Sequence, residues 1–185
     1  MIHQLLPRIN FIFILLMSLL VIIFQSTILN LLFKNFRPDI LLILIVYISF
    51  NRYIVEGALL SLIIGWFVET YSGVPHGLII TVYLWVFLVS KMVGLAVFLT
   101  RNSGTLLVVT LMGLFQILLI FGLSTLFFQS NPSLQEMIIA WIPTLLLQLI
   151  ATPIVFGIFY KVDRFCNKES PSKITGVLGA QILAR

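Results

Sequence analysis

The sequence has little charge: 9% of its 185 residues are Asp, Glu, Lys or Arg, where a soluble globular domain carries roughly a quarter. Together with 61% hydrophobic residues, this excludes a soluble enzyme. The apolar residues run almost from end to end and leave no second water-exposed module, so the solvent for most of the chain is lipid. Cys166 is the single cysteine, which excludes an internal disulfide. His76 and Glu69 are too few ligands for a zinc site. The apolar runs hold no Ser/His or paired-Asp arrangement, so no active site, metal or cofactor is expected and the chain reads as a non-enzyme. The net charge of +5 is not a nucleic-acid signal. Its basic residues sit singly at the edges of apolar runs, as topology determinants do.

What is present is a succession of long apolar runs. A helix needs about 20 residues to cross roughly 30 Å of hydrocarbon. Cutting at charges and Gly/Pro clusters gives runs at about 9–33, 40–68, 78–99, 105–128 and 137–160. The first is too long for a signal peptide core and lacks a small-residue cleavage site, so it reads as a retained span. The second would bury Asn51, Arg52 and Glu56 near mid-membrane as one helix, at about 3 kcal/mol per central charge. Splitting it at Asn51-Arg52-Tyr53 gives spans at about 40–50 and 54–68, with the joint at an interface. The expected fold is therefore an all-α polytopic membrane protein with six transmembrane helices in one bundle over 1–160. A basic cytoplasmic tail follows at 161–185.

With both termini cytoplasmic, Arg8, Arg52, Arg101, Lys161, Arg164, Lys168, Lys173 and Arg185 lie inside, against Lys34 and Arg37 outside. A five-span arrangement satisfies the positive-inside rule about as well. The cost of burying Arg52 is what favours six. Beyond Lys161, Ile174, Val177, Leu178 and Ile182 are spaced for one helical face. That fits an amphipathic helix on anionic lipid or on a cytoplasmic partner, or else a disordered tail.

Gly57, Ser61, Gly65, Glu69, Gly73 and Gly77 fall four residues apart. On a helix this spacing puts Gly57, Ser61 and Gly65 on one face, where a second backbone can approach closely. The segment 71–77, with two Gly, a Pro and a Ser, predicts a turn. Glu69 before it is a candidate to reach water, cap a neighbouring helix or meet a partner cation. Lys91 is the only charge well inside span four, with Glu56 as a possible partner. Gln25, Ser26, Thr27 and Asn30 cluster in span one, and Gln116 and Gln148 sit near the middles of spans five and six. Such groups bond across helices or line a small polar pocket. Pro143 and Pro153 predict kinks in the last span.

The run Phe36-Arg37-Pro38-Asp39 followed by an apolar stretch to Tyr47, and then Glu56-Gly57 through Gly77, resembles the bacterial rod-shape-determining membrane protein family MreD. In that family Arg-Pro-Asp or Arg-Pro-Asn opens the second span. A glycine-spaced helix then ends in an acidic residue and a Ser-Gly-x-x-Gly type of turn. Here these are Arg37, Pro38 and Asp39, then Gly65, Glu69 and Ser72 to Gly77. Gln25 and Ser26 also look like the family. Glu69 stands where the family usually has Asp, and Ser61 where it often has Gly. Pro38 and Asp39 suit a first helical turn on physical grounds alone.

The resemblance implies a non-enzymatic component of the cell-elongation complex in the bacterial inner membrane, needed for rod shape and lateral peptidoglycan synthesis. It implies contacts with an MreC-like bitopic periplasmic protein, with RodA and a class B penicillin-binding transpeptidase, and with MreB, alongside membrane lipid. Arg37, Pro38, Asp39, Glu69, Gly73 and Gly77 would carry the partner-binding motif. The family also resembles in fold the six-helix substrate-binding components of energy-coupling-factor transporters. The alternative function is therefore a small-molecule-binding component of a membrane transporter.

Overall fold

A computed structural model describes residues 2–25, 27, 39–96, 102–128 and 134–165. Six helices account for these residues: α1 (Ile2–Phe24), α2 (Ile40–Asn51), α3 (Ile54–Ser72), α4 (Leu78–Ala96), α5 (Asn102–Phe128) and α6 (Leu134–Phe165). Three of them contain stretches long and apolar enough to cross a membrane, namely Ile54–Ser72, Gly104–Phe127 and Trp141–Arg164. Shorter apolar stretches lie at Phe11–Phe24, Ile40–Asn51 and Leu78–Gly94. These features mark a membrane protein.

The shortest helix, α2, is the centre of the bundle. Its sequence, ILLILIVYISFN, has no polar face, and a helix that is apolar all round belongs in a core. Leu41 through Ser49 are all buried, and α2 touches each of the other five helices. At 12 residues it is only about 18 Å long. α2 and α4 run parallel: Asp39 meets Tyr83 at one end, while Ser49 meets Lys91 at the other. α3 runs back antiparallel to α4, with Gly57 against Phe87 and Gly65 against Ile80.

The chain reverses between α2 and α3 through two extended residues, Arg52 (φ −121°, ψ 157°) and Tyr53 (φ −66°, ψ 153°). The split expected at Asn51-Arg52-Tyr53 is therefore the break found. Its environment differs from the expected interface, because Arg52 is wholly buried. α3 also runs four residues past the expected Val68, so Tyr71 and Ser72 are helical and the turn begins at Gly73. At the other end of the chain, α6 continues to Phe165. Residues 161–165 thus belong to the helix rather than to a separate tail, and the segment 166–185 lies outside the described residues. Pro143 and Pro153 both lie within α6.

Candidate functional site: polar clusters at the two ends of the central helix

At its amino end, α2 has free backbone N–H groups and a partial positive charge inside an apolar bundle. Asp39 answers both. Its Oδ1 accepts the Leu42 N–H at 3.1 Å, capping the helix. Gln116 of α5 donates Nε2 to Oδ2 at 2.7 Å, and the Tyr83 hydroxyl of α4 donates to both carboxylate oxygens at 3.3 and 3.4 Å. One carboxylate therefore ties three helices together. Because Gln116 lies near the middle of α5, the amino end of α2 sits at mid-height of that helix. Asp39, expected in a first helical turn beside Pro38, is instead the N-cap, one residue before the helix begins at Ile40. Arg37 and Pro38, the motif residues before it, lie outside the described residues.

Glu69 performs the same task for α4. It is 1% exposed, and it accepts the N–H of Gly77 at Oε2 and of Ile80 at Oε1, both at 2.9 Å. Its backbone carbonyl accepts the Gly73 N–H at 3.2 Å, closing α3. A single residue thus finishes one helix and starts the next. Gly73 (φ 66°) and Gly77 (φ 95°) adopt the left-handed backbone this turn demands, which a Cβ disfavours. Of the three roles open to Glu69, capping a neighbouring helix is the one it fills. His76 Nδ1 lies 3.9 Å from Glu69 Oε2 and is 84% exposed. No group of three or more His, Cys, Asp or Glu placed to hold a metal occurs among the described residues.

The four-residue stripe packs as its spacing predicts. A Cβ built on Gly65 would lie 2.9 Å from the Ile80 Cα, so the α3 and α4 backbones meet there. Gly57 faces the ring of Phe87. Ser61 is buried and donates its hydroxyl to the Gly57 carbonyl of its own helix at 2.9 Å.

At the carboxy end of α2 the sequence reading needs two corrections. Lys91 does not pair with Glu56; its Nζ donates to the carbonyls of Ser49 at 2.7 Å and Arg52 at 2.6 Å. A cation on the last carbonyls of a helix meets the negative end of its dipole. Glu56 instead pairs with Arg52, four residues away, at 3.4 Å. Arg52 also binds Asp163 of α6 through Nη2 and Oδ1. Tyr47 donates its hydroxyl to Asp163 Oδ2 at 2.5 Å and packs its ring on Phe156 and Phe159.

The Arg52–Asp163–Tyr47 cluster is the feature that sequence reasoning missed. A signal was available, because Asp163 follows Thr152, Phe156 and Phe159 in steps of four, three and four and so shares the buried face of α6. Gln148, on that same face, is buried, with its Oε1 against Gly113 of α5. Gln25, just past the end of α1, has a buried Oε1 with no hydrogen-bond partner among the described residues. No protein-family model, curated protein or solved structure matches the chain.

Proposed function

We propose that the protein is a non-enzymatic membrane scaffold of the MreD type, acting in the complex that elongates the bacterial cell wall. The observation that carries this reading is the use made of the two motif acids. Asp39 and Glu69 are the residues that give the Arg-Pro-Asp and Glu-to-Gly turn patterns their chemistry. Both accept hydrogen bonds from internal donors on each oxygen: Leu42, Tyr83 and Gln116 on one, Gly77 and Ile80 on the other. Carboxylates held as helix caps serve architecture, and an architectural motif is what a scaffold requires.

In this reading six spans cross the inner membrane, with both termini cytoplasmic. Arg37 and the turn 73–77 face the periplasm, where they meet an MreC-like protein. RodA, the class B transpeptidase and MreB belong to the same assembly. A second reading, a small-molecule-binding component of a transporter, is favoured by one observation: Gln148 buries an Nε2 with no hydrogen-bond partner among the described residues, and such a donor gains from a polar ligand.

Purification of a tagged copy from native membranes in mild detergent, with mass spectrometry of the co-purifying proteins, separates the two. Recovery of an MreC-like protein with RodA and the transpeptidase supports the scaffold. Recovery of paired ATPases with a coupling membrane subunit replaces it with the transport reading.

A further inference from the structure

The carboxy end of α6 separates its charges. Asp163 turns inward to Arg52 and Tyr47, whereas Lys161 and Arg164 are exposed. In steps of three and four along the same outer face come Ile150, Pro153 and Gly157, all exposed. Residues spaced this way share one side of a helix. Ile150 is 69% exposed, and nothing lies within 4 Å of a Cβ built on Gly157. The result is an open apolar track that ends in two cations about 6 and 10 Å beyond Gly157, at about 1.5 Å per residue.

We propose that this face of α6 seats an anionic phospholipid. One acyl chain lies along the track at Ile150 and Gly157, and the phosphate is held by Lys161 and Arg164. The occupant follows from charge complementarity: with Asp163 turned into the bundle, the charges on the outer face of this helix end, among the described residues, are the cations Lys161 and Arg164. Long basic side chains at a helix end reach the headgroup layer while their stems stay in hydrocarbon, and a guanidinium matches phosphate geometry. Each basic side chain near an anionic surface contributes about a fivefold preference, so the pair is worth on the order of thirtyfold. Asp163 is then a positioning residue, fixing the rotation of α6 that sends its neighbours outward. The inference needs only a bundle in a bilayer, and its outcome does not depend on the scaffold reading.

The test is native mass spectrometry of the full chain in mild detergent, titrated separately with palmitoyl-oleoyl phosphatidylglycerol and palmitoyl-oleoyl phosphatidylcholine. The wild type is expected to prefer the phosphatidylglycerol by about thirtyfold. K161Q/R164Q loses that preference, K161R/R164K keeps it, and K168Q/K173Q keeps it. G157L, which fills the open space, weakens retention of both lipids without changing the melting temperature in detergent. Equal binding of the two lipids by the wild type overturns the proposal. So does a preference that survives K161Q/R164Q or disappears in K168Q/K173Q. Loss of a co-purifying protein in K161Q/R164Q with lipid preference unchanged also overturns it, and makes the face a protein interface.

Discussion

Arg52 and Asp163, 111 positions apart in sequence, are joined inside the bundle through a guanidinium Nη2 and a carboxylate Oδ1. The pair fastens the α2–α3 break to the end of α6. Glu56 and Tyr47 join the arrangement, so the buried cation faces two carboxylates, one of which also accepts a phenol hydrogen bond. A buried charge loses its hydration and must recover it from partners.

Removing one partner should therefore be costly. Asp163→Ala is expected to destabilise the protein by about 3 kcal/mol, the lower end for a broken buried pair, because Glu56 still faces Arg52. Asp163→Glu, which keeps the charge, should recover part of that loss. Unfolding of the purified protein in detergent measures both, and an unchanged midpoint for Asp163→Ala would contradict the role given to the pair.

The two glycines of the α3–α4 seam should respond differently. At Gly65 a methyl group meets the Ile80 backbone at 2.9 Å, and a backbone cannot swing aside, so Gly65→Ala should cost about 1–3 kcal/mol. At Gly57 the obstacle is the far edge of the Phe87 ring, which can rotate. Gly57→Ala should be the milder variant, as comparison of their melting temperatures will show.

Glu69 satisfies two backbone donors, so Glu69→Ala should cost about 1–2 kcal/mol by removing the acceptor of the part-buried Gly77 and Ile80 N–H groups. Glu69→Gln keeps one acceptor oxygen and should fall between Ala and wild type. Glu69→Asp retains the charge but withdraws it by one bond. Wild-type stability in all three variants would show that the cap contributes nothing.

Gln116 donates to Asp39 across two helices. Gln116→Leu should destabilise by about 1–2 kcal/mol through a weakened carboxylate shell. In a double-mutant cycle, Gln116→Leu and Asp39→Asn should be non-additive. Strictly additive effects would separate the two residues energetically.

For the partner motif, Arg37→Ala should reduce recovery of the MreC-like protein while membrane insertion stays intact. Undiminished recovery would remove Arg37 from the proposed contact.

The residues most legible in the sequence were those whose role depends on neighbours along the chain. Asp39 beside Pro38 announced a helix start. Glu69 followed by Ser72-Gly73 announced a helix end and a turn, and the four-residue spacing of Gly57, Ser61 and Gly65 announced a seam. Lys91 and Arg52 were less legible, because both are single charges in apolar surroundings. Nothing local says whether such a charge reaches water or finds a partner. Glu56 does not partner Lys91, because Arg52, in the extended break just before the helix that carries Glu56, pairs with that carboxylate.

By itself, the sequence determined the solvent of this protein, the helical character of its apolar runs and the break between α2 and α3. Composition and run length act within a few residues or sum over the chain, whereas the burial of Arg52 at that break is not a local property. Only the tertiary structure decided that α2 stands at the centre and that the acids Asp39 and Glu69 are spent as caps. It also decided that Asp163 points inward while Lys161 and Arg164 point outward. These outcomes depend on which helix faces which. An apolar helix looks the same from every side until its neighbours are in place, and the few polar groups then choose partners by distance in space.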